Sequence, residues 1–147
     1  MKIITTSWDD GHPLDFKLAE LLDKYNLKGT FYIPSSNEEH KVMSEAEIKL
    51  LGRQFEIGGH TLTHARLKNL SEQKLYEEVN GCYLWLAELL EVTPVSFCFP
   101  GGVYNKATIK QAVDAGFNVL RTTELLSVKP VAVGLTPTTL QVYEHKR

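Results

Sequence analysis

Three short stretches carry residue types that can do chemistry. In T-S-W-D-D-G-H-P, residues 6–13, Asp9 and Asp10 stand side by side just after an apolar run, a poor setting for aspartate in a strand. In H-T-L-T-H, residues 60–64, two histidines are spaced i and i+4. In F-C-F-P-G-G-V-Y-N, residues 97–105, a Pro-Gly-Gly turn follows an aromatic run. On a helical turn the spacing of His60 and His64 puts both imidazoles on one side, where they can share a metal. A carboxylate added to two histidines makes a three-ligand set that leaves positions open for water and substrate. Adjacent side chains at a strand end point in different directions. One aspartate of the pair can then hold the metal while the other faces an activated water, and the nearby cation makes the like-charge pair tolerable. Each motif taken alone also has an ordinary reading. Asp-Asp-Gly makes a turn that caps a helix, and two histidines can be surface residues.

The elements that must bring these stretches together alternate along the chain. Ile3–Thr6 reads as a first strand, and Leu14, Leu18, Leu21, Leu22 and Tyr25 recur at helical spacing up to a stop at Asn26. Gly29–Ile33 reads as a second strand ended by Pro34, followed by a polar loop over residues 35–42. Ser44 and Glu47 make a capping box, with Met43 and Ile48 as its hydrophobic staple and Gly52 closing the helix. Phe55–Ile57 is a third strand running into Gly58-Gly59. Ser71 caps a long helix whose apolar face is Leu75, Val79, Cys82, Leu86 and Leu89 or Leu90. Val95–Phe99 is a fourth strand; Asn105 caps a helix that Gly116 ends; Phe117–Arg121 is a fifth strand. The tail resists assignment. Strand–helix alternation predicts an α/β fold with parallel strands, whose site lies at the carboxyl ends of the strands. Asp9, Asp10 and His12 follow the first strand, His60 and His64 the third, and residues 100–102 the fourth.

Composition bounds the rest. A length of 147 residues suits a single domain, 1–147, with a real core. A hydrophobic fraction of 43% with 23% charged residues reads as globular. The net charge of −2 gives no general pull toward nucleic acid or anionic membrane. No apolar run approaches the ~20 residues of a membrane span. The N-terminus lacks the apolar stretch and cleavage site of a signal peptide, so the expected location is cytoplasmic. Cys82 and Cys98 have no metal or redox spacing and read as buried free thiols.

At this point the motifs resemble a family. T-S-W-D-D-G resembles the T-F-D-D-G motif of the polysaccharide deacetylases, the NodB-like family-four carbohydrate esterases. H-T-L-T-H resembles their H-[ST]-x-x-H motif, F-C-F-P-G-G-V-Y-N their third motif, and K-G-T-F-Y-I-P their second strand. The resemblance runs from Ile3 to about Thr123. It implies that Asp9 is the catalytic base, that Asp10, His60 and His64 hold a divalent metal, and that the Gly101 backbone N–H helps stabilise an oxyanion. The implied reaction is metal-assisted hydrolysis of an N-acetyl group on an amino sugar in a glycan or glycan precursor. Zinc is the expected metal, although cobalt, nickel and iron suit the same ligands. The implied fold is an irregular (β/α) barrel, incomplete here with about five β/α units. An incomplete barrel leaves strand edges open, which suggests a homo-oligomer.

This sequence departs from the family pattern in three places. Cys98 stands where the third motif usually carries an arginine that orients the catalytic aspartate, and Arg121 is the candidate stand-in. Trp8 replaces the commoner phenylalanine and reads as core packing. The general-acid histidine of a late L-x-H motif has no counterpart before Arg147, so a C-terminally truncated chain is expected. His145 and His40 read as solvated; His12 reads as an acid, a substrate-positioning group, helix-start packing or a solvent-exposed residue. Two alternatives share the scaffold: hydrolysis of another amide C–N bond or an O-acetyl ester, and a catalytically weak carbohydrate-binding domain. A purely structural α/β domain requires all three motifs to coincide by accident.

Overall fold

Every strand found pairs with the strand next to it in sequence, and every pairing is parallel. A computed structural model describes residues 6–123 and the backbone of residues 136 and 137. The elements run β1 Thr6–Asp9, α1 Asp15–Lys24, β2 Gly29–Ile33, α2 Glu45–Leu51, β3 Glu56–Gly59, α3 Glu72–Leu90, β4 Ser96–Cys98, α4 Lys106–Ala115 and β5 Val119–Arg121. A two-residue strand, β6 Thr136–Pro137, adds to β5. Because each new strand joins on the same side, the sheet has no point where the strand order reverses. It is the incomplete (β/α) barrel that the motifs imply, not a doubly wound sheet.

The strands have two unlike faces, as their period of two requires. Trp8, Phe31, Ile33 and Ile57 turn toward the helices and pack with Ala19, Leu22, Ile48 and Leu86. Trp8 stacks on Phe31 with ring centroids 5.5 Å apart, which is the packing role expected of it. A second cluster, with Phe97, Phe99, Phe117 and Leu120 against Leu75, Val79 and Ala112, holds β4 and β5 to α3 and α4. The other face is polar. There Glu56 accepts hydrogen bonds from Ser96 Oγ (2.6 Å) and Thr30 Oγ1 (3.0 Å), and Asp9 meets Arg121.

Local signals set most helix ends. The Ser44–Glu47 capping box is complete, and Met43 and Ile48 are both buried. Ser71 and Asn105 cap α3 and α4 through their side chains, and Gly116 ends α4 at φ 116°. The stripe Leu75, Val79, Cys82, Leu86, Leu89 is buried along α3. On α1 the helix forms but its buried face is Asp15, Ala19 and Leu22, while Leu14, Leu21 and Tyr25 are exposed. The expected apolar stripe is therefore rotated, because the sheet, not the leucine spacing, selects the face. In its described part, β1 runs on past the β-branched residues to Asp9. It pairs Thr6 to Gly29 through Asp9 to Tyr32, so the ladder carries Asp9 into the strand despite its poor propensity. Residues 3–5 and the tail with His145 lie outside the described residues.

Candidate active site

The carboxyl ends of β1, β2, β3 and β4 meet at one rim. Asp9 is the last residue of β1, and Asp10 follows at φ 78°, in the left-handed region that non-glycine residues rarely occupy. That turn separates the two carboxylates. Gly11 completes it at φ 65°, and a Cβ there would lie 2.6 Å from Ile33 Cγ2 on β2. Only glycine lets the turn close over the neighbouring strand.

The histidine loop is not a helical turn. His60 to His64 run as irregular backbone with Thr61 at φ 64° and His64 at φ 59°. Strained backbone at this point is held from several sides. The Leu62 carbonyl accepts from Ser35 N (3.0 Å), Ser36 N (3.1 Å) and Ser35 Oγ (2.6 Å). Leu62 N donates to the Glu78 carbonyl on α3 (3.0 Å). The Glu78 carboxylate, fully buried, accepts from Thr63 N (2.9 Å) and Thr63 Oγ1 (2.7 Å). The imidazoles thus converge by loop geometry and not by the helical turn on which their i,i+4 spacing would also bring them together.

Asp10, His60 and His64 converge. Asp10 Oδ1 lies 3.3 Å from His60 Nε2 and 3.0 Å from His64 Nε2, and one ligand atom from each residue falls within 4.8 Å of the others. Ligand bonds of about 2.0–2.1 Å in a tetrahedral site put donor atoms about 3.3 Å apart, so the donor set fits a first-row divalent ion. His60 Nδ1 lies 2.8 Å from the Cys98 carbonyl, which assigns the proton to Nδ1 and turns the Nε2 lone pair into the site. His60 holds Asp10 down to about 2. Burial works to lower His60, but Asp10 and the Cys98 contact outweigh it and push it up to about 10. Burial, followed by the charge of His60, lowers His64. A histidine binds a metal through a neutral ring, so protons compete with a metal ion for this group.

Asp9 sits beside this group on its own support. Arg121 Nη1 donates to Asp9 Oδ1 and Oδ2, both at 2.6 Å, and reaches Cys98 Sγ at 3.2 Å. The pairing of Cys98 with Arg121 across β4 and β5 places the guanidinium there. Arg121 thus holds Asp9, as expected of the candidate stand-in for an arginine at Cys98. Cys82 and Cys98 are both buried free thiols, as their apolar neighbours suggest. Gly101 lies across the rim at φ 63°, and the two hydrogen bonds of its turn use the amides of Gly102 and Val103. The Gly101 amide takes no part in either bond.

His12 accepts from Leu14 N (3.1 Å) at the start of α1, a helix-start role. His40 corrects the sequence reading. It is part of the cluster, with Nε2 3.5 Å from Asp10 Oδ2, and not a solvated loop residue. The signal was its place in the loop after β2, at the same rim as the other strand-end residues. Asp15 is a further group that the sequence reading missed. It is 7% exposed at the start of α1, and its Oδ2 has no hydrogen-bond partner. Burial, and then the charge of Asp10, pushes its carboxyl up to about 6. A raised folded value means that the unfolded chain loses its proton first, so stability falls as pH rises from about 4 through about 6. Asp15→Asn is expected to remove that fall. It should stabilise the metal-free protein by about 1–3 kcal/mol at pH 8, after allowing for the lost first-turn charge, with no gain at pH 4. Urea unfolding at the two pH values measures the difference, and equal gains at both would sink the assignment.

The rim of this half-barrel thus gathers one aspartate and two histidines, a donor set of the kind that can hold a metal ion, beside a second, arginine-held aspartate. Residues 1–120 match the family model described as polysaccharide deacetylase, and the chain belongs to that family. A peptidoglycan-N-acetylglucosamine deacetylase of Bacillus cereus is 27% identical over 121 residues, which are 81% of this chain and 55% of the relative. The Streptococcus pyogenes deacetylase PplD, solved in complex with acetate, superposes with a TM-score of 0.72 at 22% identity, over 80% of this chain and 54% of that one. A family 4 acetyl xylan esterase from Clostridium thermocellum, solved with a cobalt ion, gives a TM-score of 0.64 at 22% identity, over 75% and 54%. These two likenesses establish the fold. The chain spans about half the length of the curated relatives that it matches first, 45% and 55%.

Proposed function

We propose that this chain hydrolyses the N-acetyl group of an amino sugar, in a glycan or a glycan precursor, at a zinc site held by Asp10, His60 and His64. The observation that carries this is the convergence of those three side chains on one point, with Asp9 held beside them by Arg121. When bound, the metal supplies Lewis acidity to the acetyl carbonyl and to the attacking water. Asp9 takes the proton of that water as general base, its carboxylate aimed by Arg121. The Gly101 amide donates to the oxygen on which negative charge develops. Asp9 then passes that proton to the leaving nitrogen as the C–N bond breaks, and acetate and a free amino sugar leave. Family membership supports the deacetylase class. The named substrate of the Bacillus cereus relative supports N-acetylglucosamine, and the acetyl xylan esterase keeps an O-acetyl ester as the second substrate to assay.

The test compares wild type with Asp10→Ala after chelator stripping and reloading with zinc. The expected result is about one zinc per wild-type chain, none in the variant, and acetate release from N-acetylated oligosaccharides by wild type alone. A folded wild type that takes up no zinc overturns the reading. Faster release from O-acetyl esters would move the substrate to the ester class.

A further inference from the structure

Arg121 grips Asp9 by one corner of its guanidinium. Among the described residues, each polar contact of that group is made by Nη1, to Asp9 Oδ1, Asp9 Oδ2 and Cys98 Sγ. A planar fork fastened at a single nitrogen can still swing about it. The second constraint is a ring. Arg121 Cζ stands 5.7 Å from the centroid of Tyr32, within the range at which a cation is drawn to an aromatic face. Tyr32 is 5% exposed and the Arg121 side chain 18%, so little water screens the contact.

The sheet puts the ring in this place. Tyr32 pairs with Asp9 on β1 and with Gly58 on β3. A Cβ on Gly58 would lie 2.5 Å from Tyr32 Cδ1 and 2.6 Å from Tyr32 Cε1. The bare backbone of Gly58 is therefore the seat on which the ring lies, and the hydroxyl interacts with Ser96 on β4. Arg121 starts from β5, opposite Cys98, and reaches back over the ring to Asp9 on β1. We propose that Tyr32 is a positioning residue for the general base: its ring face fixes the plane of the Arg121 guanidinium, and the guanidinium in turn aims the Asp9 carboxylate. This rests on the reading of Asp9 as general base. A base turned away from its water loses rate without losing substrate, so the effect belongs in kcat and not in KM.

Steady-state acetate release from an N-acetylglucosamine oligomer tests the role, on the zinc-loaded full chain. The variants are Tyr32→Phe, Tyr32→Leu, Arg121→Met and the double variant Tyr32→Leu with Arg121→Met. Tyr32→Leu is expected to lower kcat about 3- to 30-fold, with KM and zinc stoichiometry unchanged. Tyr32→Phe keeps the ring face and should stay within about twofold of wild type. The double variant should be no slower than Arg121→Met alone, because the ring then has nothing to hold. Ring-fluorinated phenylalanines incorporated in place of Tyr32 keep the shape of Phe but weaken the negative face. With them kcat should fall as fluorines are added, and this arm decides the matter if the Leu variant does not fold. Undiminished kcat in Tyr32→Leu, or a flat fluorine series, overturns the proposal. So does a loss in Tyr32→Phe as large as that in Tyr32→Leu, which assigns the effect to the hydroxyl and Ser96. Additive losses in the double variant overturn it as well, because the ring would then act apart from Arg121. Acetate release absent from wild type itself overturns the deacetylase reading, and the role of Tyr32 falls with it.

Discussion

Asp9→Asn is expected to cut acetate release by about 10²- to 10⁴-fold while zinc uptake stays at the wild-type level. The separation of the two effects follows from the turn at Asp10. Asp9 ends the β1 ladder opposite Tyr32, while Asp10 at φ 78° swings to the histidines. Each carboxylate therefore has its own partners. Asp9 has Arg121 and the Cys98 thiol, and Asp10 has the three imidazoles. Asn keeps the size and one acceptor for Arg121 but cannot take a proton from water. Arg121→Met should also slow turnover, by less, since it frees Asp9 to rotate and leaves its base in place. Steady-state kcat beside zinc stoichiometry checks both. Loss of zinc in Asp9→Asn would mean that Asp9 belongs to the ligand set, and undiminished kcat would remove it from the chemistry.

The candidate site residues were legible because they sit at strand ends, and strand ends are visible as β-branched or aromatic runs stopped by glycine and proline. Asp9, Asp10, His60, His64 and Gly101 are local in that sense: each belongs to a motif a few residues long. The supports are not local. Arg121 reaches Asp9 across 112 positions of sequence, and only the β4–β5 register puts it there. His40 was hidden because its loop carries no pattern; its place is set by the bond from Met43 to Gly11. The H-T-L-T-H spacing suggested convergence through a helical turn, because i,i+4 is the common way to bring two side chains together. Left-handed residues at Thr61 and His64 do the same by turning the chain twice. On α1 the leucine spacing named a helix correctly but not its buried face, since propensity carries no information about where the sheet lies.

Glu78→Ala is expected to cost about 2–3 kcal/mol in stability and to weaken zinc binding as well. Glu78 lies on the apolar stripe of α3, one turn after Leu75 and beside Val79, where the pattern calls for a hydrophobe. A fully buried carboxylate at such a position persists only if its oxygens are satisfied. Here one oxygen takes the Thr63 amide and the other the Thr63 hydroxyl, with Lys74 Nζ 3.5 Å from the latter. The bonds fix the backbone next to His64, which stands at φ 59° and would relax without them. Alanine removes both acceptors and leaves the two Thr63 donors unpaired at a half-buried site. Glu78→Gln retains one acceptor and should lose about 1–2 kcal/mol. Chemical unfolding of the metal-free chain gives the stability change, and chelator competition gives the affinity. If stability falls while zinc affinity holds, the bonds from Leu62 to Ser35, Ser36 and the Glu78 carbonyl suffice to shape the loop. If both fall together, α3 is the element that sets the second histidine, and the metal centre depends on a helix that supplies none of its ligands.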